Sequence, residues 1–244
     1  MNKATSIPAL TAQQMATIDR IMAEDFGVEA MQLMEVAGHA VAAFARDQLL
    51  GGDVRGKRVI VLCGSGGNGG DGMVAARFLH AWGAALEIWL GRQPEQGRGL
   101  AWHQLSILER LGMQIIEPSL DPALPPADLI IDGLLGFSIS GAPAGAIAAL
   151  IRAANTHPAP VLAIDVPSGL DATSGTVFDP CIRADATLTL ALPKTGLLAS
   201  EARAVIGSLT VADIGVPPQA YSRLGLTIEP LFSTSDFRPV PLPG

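Results

Sequence analysis

The chain is 244 residues long, with 49% apolar and 16% charged residues and a formal net charge of −7. That length suits a single α/β domain, that much apolar material excludes intrinsic disorder, and an acidic balance with no basic cluster excludes a nucleic-acid partner. Cys63 and Cys181 form neither a disulfide framework nor a CxxC metal pair, the N-terminus lacks a basic start followed by an apolar stretch, and no apolar run approaches the ~20 residues of a membrane span, so a soluble, cytoplasmic chain is expected.

In chain order, Met15, Ile18, Ile21 and Met22 recur at helical spacing behind Thr11, a suitable N-cap, and predict a helix over 11–24. A second helix is expected over 31–50, stopped by Gly51 and Gly52. The run RVIVLC, 58–63, is continuously apolar and β-branched, as in a strand covered on both faces. The pattern then alternates: helix 71–83, strand 85–90, helix 98–111, strands 113–117 and 128–132, helix 143–155, strand 160–165. Further strands are expected near 186–191, 207–212 and 225–229. Such alternation means α/β architecture, with parallel strands joined by right-handed crossovers. Three prolines in FRPVPLPG exclude a helix or a central strand at the end, so residues 1–236 are read as one domain and 237–244 as a proline-rich tail or truncated linker.

Three strand ends carry the chemistry. Gly64-Ser-Gly-Gly-Asn-Gly-Gly-Asp-Gly72 follows a strand and opens a helix, at the carboxyl edge where open α/β sheets bind ligands. It satisfies GxGxxG, but the acidic residue due ~20 positions later is missing, with Arg92 near that point, and no Lys-Ser or Lys-Thr follows as in a P-loop. Six glycines in nine positions would give a ligand access to backbone N–H groups. Asp71 either serves a cation or polar ligand or caps the helix. Asp132 and Asp165 each close an apolar strand before a flexible loop, so Asp71, Asp132 and Asp165 converge with Asn68 and Ser168 on one sheet edge. Clustered acids need a proton or cation among them, and amide, carboxylate and hydroxyl oxygens suit an alkali or alkaline-earth ion. Ser65 lacks a nucleophile elbow, the four histidines have no evident partner, and Cys63 reads as a small hydrophobe. Lys194 either reaches a phosphate or is solvated.

Four stretches carry a family resemblance: Leu33-Met-Glu-Val-Ala-Gly38, Cys63 to Gly72, Ile131-Asp-Gly-Leu-Leu-Gly-Phe137 and Ile164-Asp-Val-Pro-Ser-Gly-Leu-Asp171. Their order, over about 10–230, resembles the NAD(P)H-hydrate epimerase family, the YjeF N-terminal domain. The family loop usually reads Asn-Asn-Gly-Gly-Asp; here its first Asn is Gly67, while Asn68 is kept. The resemblance implies a Rossmann-like three-layer α/β/α sandwich with a mostly parallel central sheet, often homodimeric. It also implies a potassium ion held by Asn68, Asp132 and Ser168. The substrate, NADHX or NADPHX, would be contacted by Gly67, Asn68, Gly69, Gly70 and Asp71, by the loop Gly136, Phe137, Ser138, Ile139, Ser140, Gly141 and Ala142, and by Asp165. In many bacteria the domain is fused to an ADP-dependent dehydratase, and the proline-rich end resembles the start of that connection.

The implied chemistry suits the residues. The hydrate's hydroxyl-bearing carbon is bonded to the ring nitrogen, which can expel hydroxide and let water return on the other face. A carboxyl group raised toward neutrality by desolvation can act as acid and then base. Asp165 is the first choice, with Lys194 pairing a phosphate or tuning it. The competing reading is a non-catalytic nucleotide-binding or protein-interaction scaffold of the same fold, against which the joint presence of Asp132, Asp165 and Ser168 argues. A kinase would need a phosphate-cradling base that the glycine loop lacks.

Overall fold

The computed structural model describes residues 7–139 and 141–242. Helix α1, Ala12–Glu24, starts at a capping box in which Thr11 accepts from the Gln14 N–H and the Gln14 side chain accepts from the Thr11 N–H. Its apolar stripe buries Met15, Ile18 and Met22. Helix α2, Ala30–Phe44, runs into a π-helical turn over Ala45–Leu49, so the segment expected as one helix changes winding partway. Strand β1, Arg58–Cys63, is followed by α3, Gly67–Ala81, then β2, Ala85–Leu90, α4, Gly99–Arg110, and β3, Gln114–Ile116. Strand β4, Leu129–Gly133, α5, Gly145–Thr156, β5, Val161–Ile164, and β6, Ala186–Leu190, come next. A short helix α6, Arg203–Ile206, strand β7, Ser208–Ala212, the short helix α7, Pro218–Ser222, and β8, Phe237–Pro239, complete the fold.

The eight strands form one sheet in the order β3-β2-β1-β4-β5-β6-β7-β8, with all neighbours parallel except the β7–β8 pair. Alternate residues of β1 feed opposite faces: Val59, Val61 and Cys63 pack with α1 to α4, whereas Ile60 and Leu62 pack with Leu150, Ile151 and Ala154 of α5. This is the α/β/α sandwich. Strand order reverses between β1 and β4, and the crevice beyond their carboxyl ends is where such sheets place ligands.

Two sequence expectations are corrected. Residues 225–229 form no strand; Leu226 and Ile228 pack on the core from a loop that runs into Pro230. The sheet's last position goes instead to β8, in the segment read as a tail. Phe237 stacks edge-on with Phe44 at 5.5 Å, Val240 is buried, and Pro239 is tolerated because β8 lies at the edge. No helix among the described residues is long and apolar enough to cross a membrane.

Candidate active site

Helix α3 begins inside the glycine run, four residues earlier than expected, with Gly66 as its N-cap. Poor helix propensity is overridden by close packing. A Cβ on Gly69 would overlap the Gly64 carbonyl oxygen, one on Gly64 would overlap that of Leu134, and one on Gly70 would strike Met34. These three glycines let α3 approach β1, β4 and α2. At Gly66 and Gly67 a Cβ would meet nothing, and Gly67 lines a cavity. The access expected for a ligand is thus confined to Gly66 and Gly67, where the helix begins. Asp71 lies in the second turn of α3, so the helix-cap alternative fails.

The cavity holds about 240 Å³ at the carboxyl edge of the sheet. Among the expected residues, Gly67, Asn68, Asp71, Gly136, Phe137, Ser138, Asp165 and Lys194 line it. Gly69 and Gly70 serve packing rather than the lining, as do the fully buried Asp132 and Ser168. Ile139, Gly141 and Ala142 continue the loop beyond the lining, and Ser140 lies outside the described residues. None of the four histidines reaches it.

Two polar nodes support the cavity. Asp165 follows β5 at φ 64°, a left-handed conformation that Asp tolerates better than most residues. Its Oδ1 accepts from Lys194 Nζ, from the Leu190 N–H at 3.0 Å and from Thr189 Oγ1 at 3.2 Å. Lys194 is 1% exposed and also donates to the Leu190 carbonyl at 2.9 Å. Solvation does not describe this buried ion pair, which instead brings Lys194 to Asp165, the residue it is expected either to tune or to assist by pairing a phosphate. The second node is Asp132, which accepts from Ser168 Oγ at 2.6 Å, the Ser168 N–H at 2.8 Å and the Leu134 N–H at 3.2 Å. Ser168 Oγ also accepts from the Leu135 N–H at 2.9 Å. Asn68 Nδ2 donates to the carbonyls of Leu135 at 2.8 Å and Ile164 at 3.1 Å, which ties α3 to the ends of β4 and β5.

Burial pushes the Asp132 carboxyl up to about 6, against the hydrogen bonds from Ser168 and Leu134. Asp71 is pushed well above the carboxylate range by burial, then by the negative charges of Asp165 and Asp19, with Lys194 opposing.

Residues missed from sequence complete the walls: Met15 and Asp19 of α1, Ala30, Leu33, Met34 and Ala37 of α2, then Leu100, Leu190 and Ile214. Leu33 and Met34 stand inside a quoted motif, which was the available signal. Asp19 had none, because a carboxylate on a polar helix face reads as solvated.

The family model for the YjeF-related protein N-terminus matches residues 30–196. This chain belongs to the YjeF N-terminal family. It is 40% identical over 221 residues to an NAD(P)H-hydrate epimerase of Dehalogenimonas lykanthroporepellens, covering 91% of this chain and 87% of that one. A bifunctional NAD(P)H-hydrate repair enzyme Nnr of Moorella thermoacetica is 39% identical; the match covers 85% of this chain but only 40% of that one. The YjeF N-terminal fold is shared with the crystal structure of yeast YNL200c at a TM-score of 0.80, covering 96% of this chain and all of that one, at 24% identity.

Proposed function

We propose that this YjeF N-terminal domain is an NAD(P)H-hydrate epimerase, an isomerase that interconverts the R and S forms of NADHX and NADPHX in nucleotide repair. The observation that carries the reading is the cavity itself, where a buried Asp165–Lys194 pair and a protonatable Asp71 meet apolar walls at the switch point of the sheet. Relatives of similar length named as epimerases support it. About 240 Å³ suits a hydrated nicotinamide ring rather than a whole dinucleotide, whose remainder would extend past the open positions Gly66 and Gly67. The free N–H groups of the first turn of α3 favour the pyrophosphate there.

In the reaction the ring nitrogen expels the hydroxyl as a carboxyl group donates its proton, giving water and a planar iminium. Water then adds to the opposite face as a carboxylate takes up a proton. Asp165 is assigned acid–base work, with Lys194 holding its Oδ1. Leu33, Met34, Leu100 and Phe137 limit bulk water around the iminium.

Potassium is part of the proposal, and the donor set fits it. Among the described residues no group of three or more His, Cys, Asp or Glu could hold a metal. Asp132 nevertheless is a wholly buried carboxylate whose partners are all neutral. Asn68, with its Nδ2 committed to carbonyls, has Oδ1 to offer, and Ser168 and Asp132 would complete the holding residues. When bound, the ion supplies positive charge that balances Asp132 and the dinucleotide phosphates. Homodimer formation, a cytoplasmic location and a separate or fused ADP-dependent dehydratase are proposed with it, the last supported by the bifunctional relatives.

The test is chiral separation of the hydrate epimers with and without the protein. Accelerated equilibration is expected; an unchanged rate at micromolar protein with potassium present would refute the epimerase reading.

A further inference from the structure

A planar iminium has two faces, and epimerisation requires that water leave one and return to the other. Asp165 has one carboxylate oxygen saturated by Lys194, Thr189 and Leu190, so it is held in a single orientation. One fixed carboxylate serves one face, and the opposite face calls for a second proton carrier. Resting on the epimerase reading, we propose that Asp19 of α1 is that second group, completing with Asp165 a pair that handles one proton on each face of the ring.

Three features support the assignment. Asp19 lines the same cavity as Asp165, Lys194 and Asp71. It is placed there by construction: Met15, one turn earlier, is buried and also lines the cavity, so the rotation of α1 is fixed. The start of that helix is also joined to the lysine loop, since the Leu10 N–H donates to the Pro193 carbonyl and the Thr195 N–H donates to the Leu10 carbonyl, each at 2.8 Å. Lys194 and Asp19 are thereby held on one frame. Finally, Asp19 takes no hydrogen bond or ion pair from the described residues; the residue is exposed at the mouth of the cavity, and partial desolvation of its carboxyl there, opposed by Lys194 and reinforced by Asp165, lifts it to about 6. A group with that value gives up and accepts protons near neutrality.

In balanced form, the Asp19 carboxyl gives its proton to the departing hydroxyl as the C–O bond breaks and the nitrogen lone pair forms C=N. Water on the other face then forms a new C–O bond, the C=N electrons return to nitrogen, and the Asp165 carboxylate takes the released proton. The reverse epimerisation exchanges the two roles, as in other carboxylate pairs that share a proton.

The charged and titratable groups facing Asp19 are Asp71 from α3, Asp165 after β5, Lys194 after β6 and Tyr221 from α7. Asp19→Asn should lower kcat for NADHX by about tenfold or more with little change in KM, and remove the fall in rate as pH rises through about 6. Asp19→Glu should restore part of the rate and the pH limb. A 13C titration of the Asp19 carboxyl, which needs no substrate, should give a midpoint near 6 that drops in Asp165→Asn. An Asp19→Asn protein with parental kcat and pH profile, or a midpoint in the ordinary carboxylate range, overturns the role of Asp19 alone. A parent protein that does not epimerise the hydrate overturns the epimerase reading and this role with it.

Discussion

Asp165 and Asp132 close neighbouring parallel strands, and both are buried, at 4% and 0% exposure. Their partners differ. Asp165 meets a lysine supplied by the chain, whereas Asp132 meets only hydroxyl and backbone donors. A carboxylate with its own cation keeps a fixed charge balance and can face the cavity. One surrounded by neutral donors depends on a proton or an ion from outside, and Asp132 sits behind the lining where an ion would brace the loops. The same residue type at the same kind of strand end therefore sits in two different environments, one paired with a cation at the cavity and one held by neutral donors behind it, and the proposed reactive and structural roles follow that division.

The largest effect should come from breaking the reactive node. Asp165→Asn keeps the shape but cannot cycle a proton, and kcat should fall by ~10²-fold or more. It also leaves Lys194 buried beside a neutral amide, so the thermal midpoint should drop as well; activity within about threefold of the parent would remove Asp165 from acid–base work. Lys194→Met tests the same pair from the other side. Removing one member of a buried ion pair costs roughly 3–5 kcal/mol, and because Asp165 opens onto the cavity the loss measured by urea unfolding should lie at or below the low end of that range.

These variants depend on residues that sequence reading located unequally. Buried parallel strands announce themselves as unbroken apolar runs, which is why β1 and β2 match expectation residue for residue and why Asp132 and Asp165 stood out as the carboxylates that end such runs. The start of α3 was hidden because glycine argues against helix locally, while the close approach of three backbones that favours it is a tertiary fact. The Lys194–Asp165 pair is foreseen only as one of two roles open to Lys194, and nothing local fixes it. Lysine is seldom fully buried, and its partner is set by the pairing of β5 with β6 and by the Leu10 bridge, neither of which leaves a local pattern. Asp19 is exposed on α1, as its polar helix face implies, and what left no local pattern is that this face borders the cavity.

A smaller effect should sharpen the structural half of the comparison. At neutral pH, replacing potassium with choline should lower the thermal midpoint of the parent, by an amount equivalent to about 1–3 kcal/mol if the ion is well above its dissociation constant. Asp132→Asn should abolish that salt dependence, whereas Lys194→Met should retain it. Equal midpoints for the parent in both salts would leave the Asp132 node without an ion.

The smallest effect is expected from a change that touches neither carboxylate. Gly67 has a helical rather than a left-handed backbone, since it is the first residue of α3 and is absent from the positive-φ positions, so an asparagine there meets no conformational penalty. A Cβ at this position also meets no neighbour. Restoring the usual family asparagine can therefore add at most one ordinary hydrogen bond to the hydrate, roughly 0.5–1.5 kcal/mol, or up to about tenfold in affinity. Gly67→Asn should leave both the salt dependence and kcat where they were. Gly67→Val offers the contrasting probe: with no strain to relieve and open space around the site, it should fold normally and act only by obstructing the ligand, raising KM while the thermal midpoint stays put. If Gly67→Val instead binds and turns over the hydrate like the parent, the dinucleotide does not pass over the start of α3, and the path assigned to its pyrophosphate is wrong.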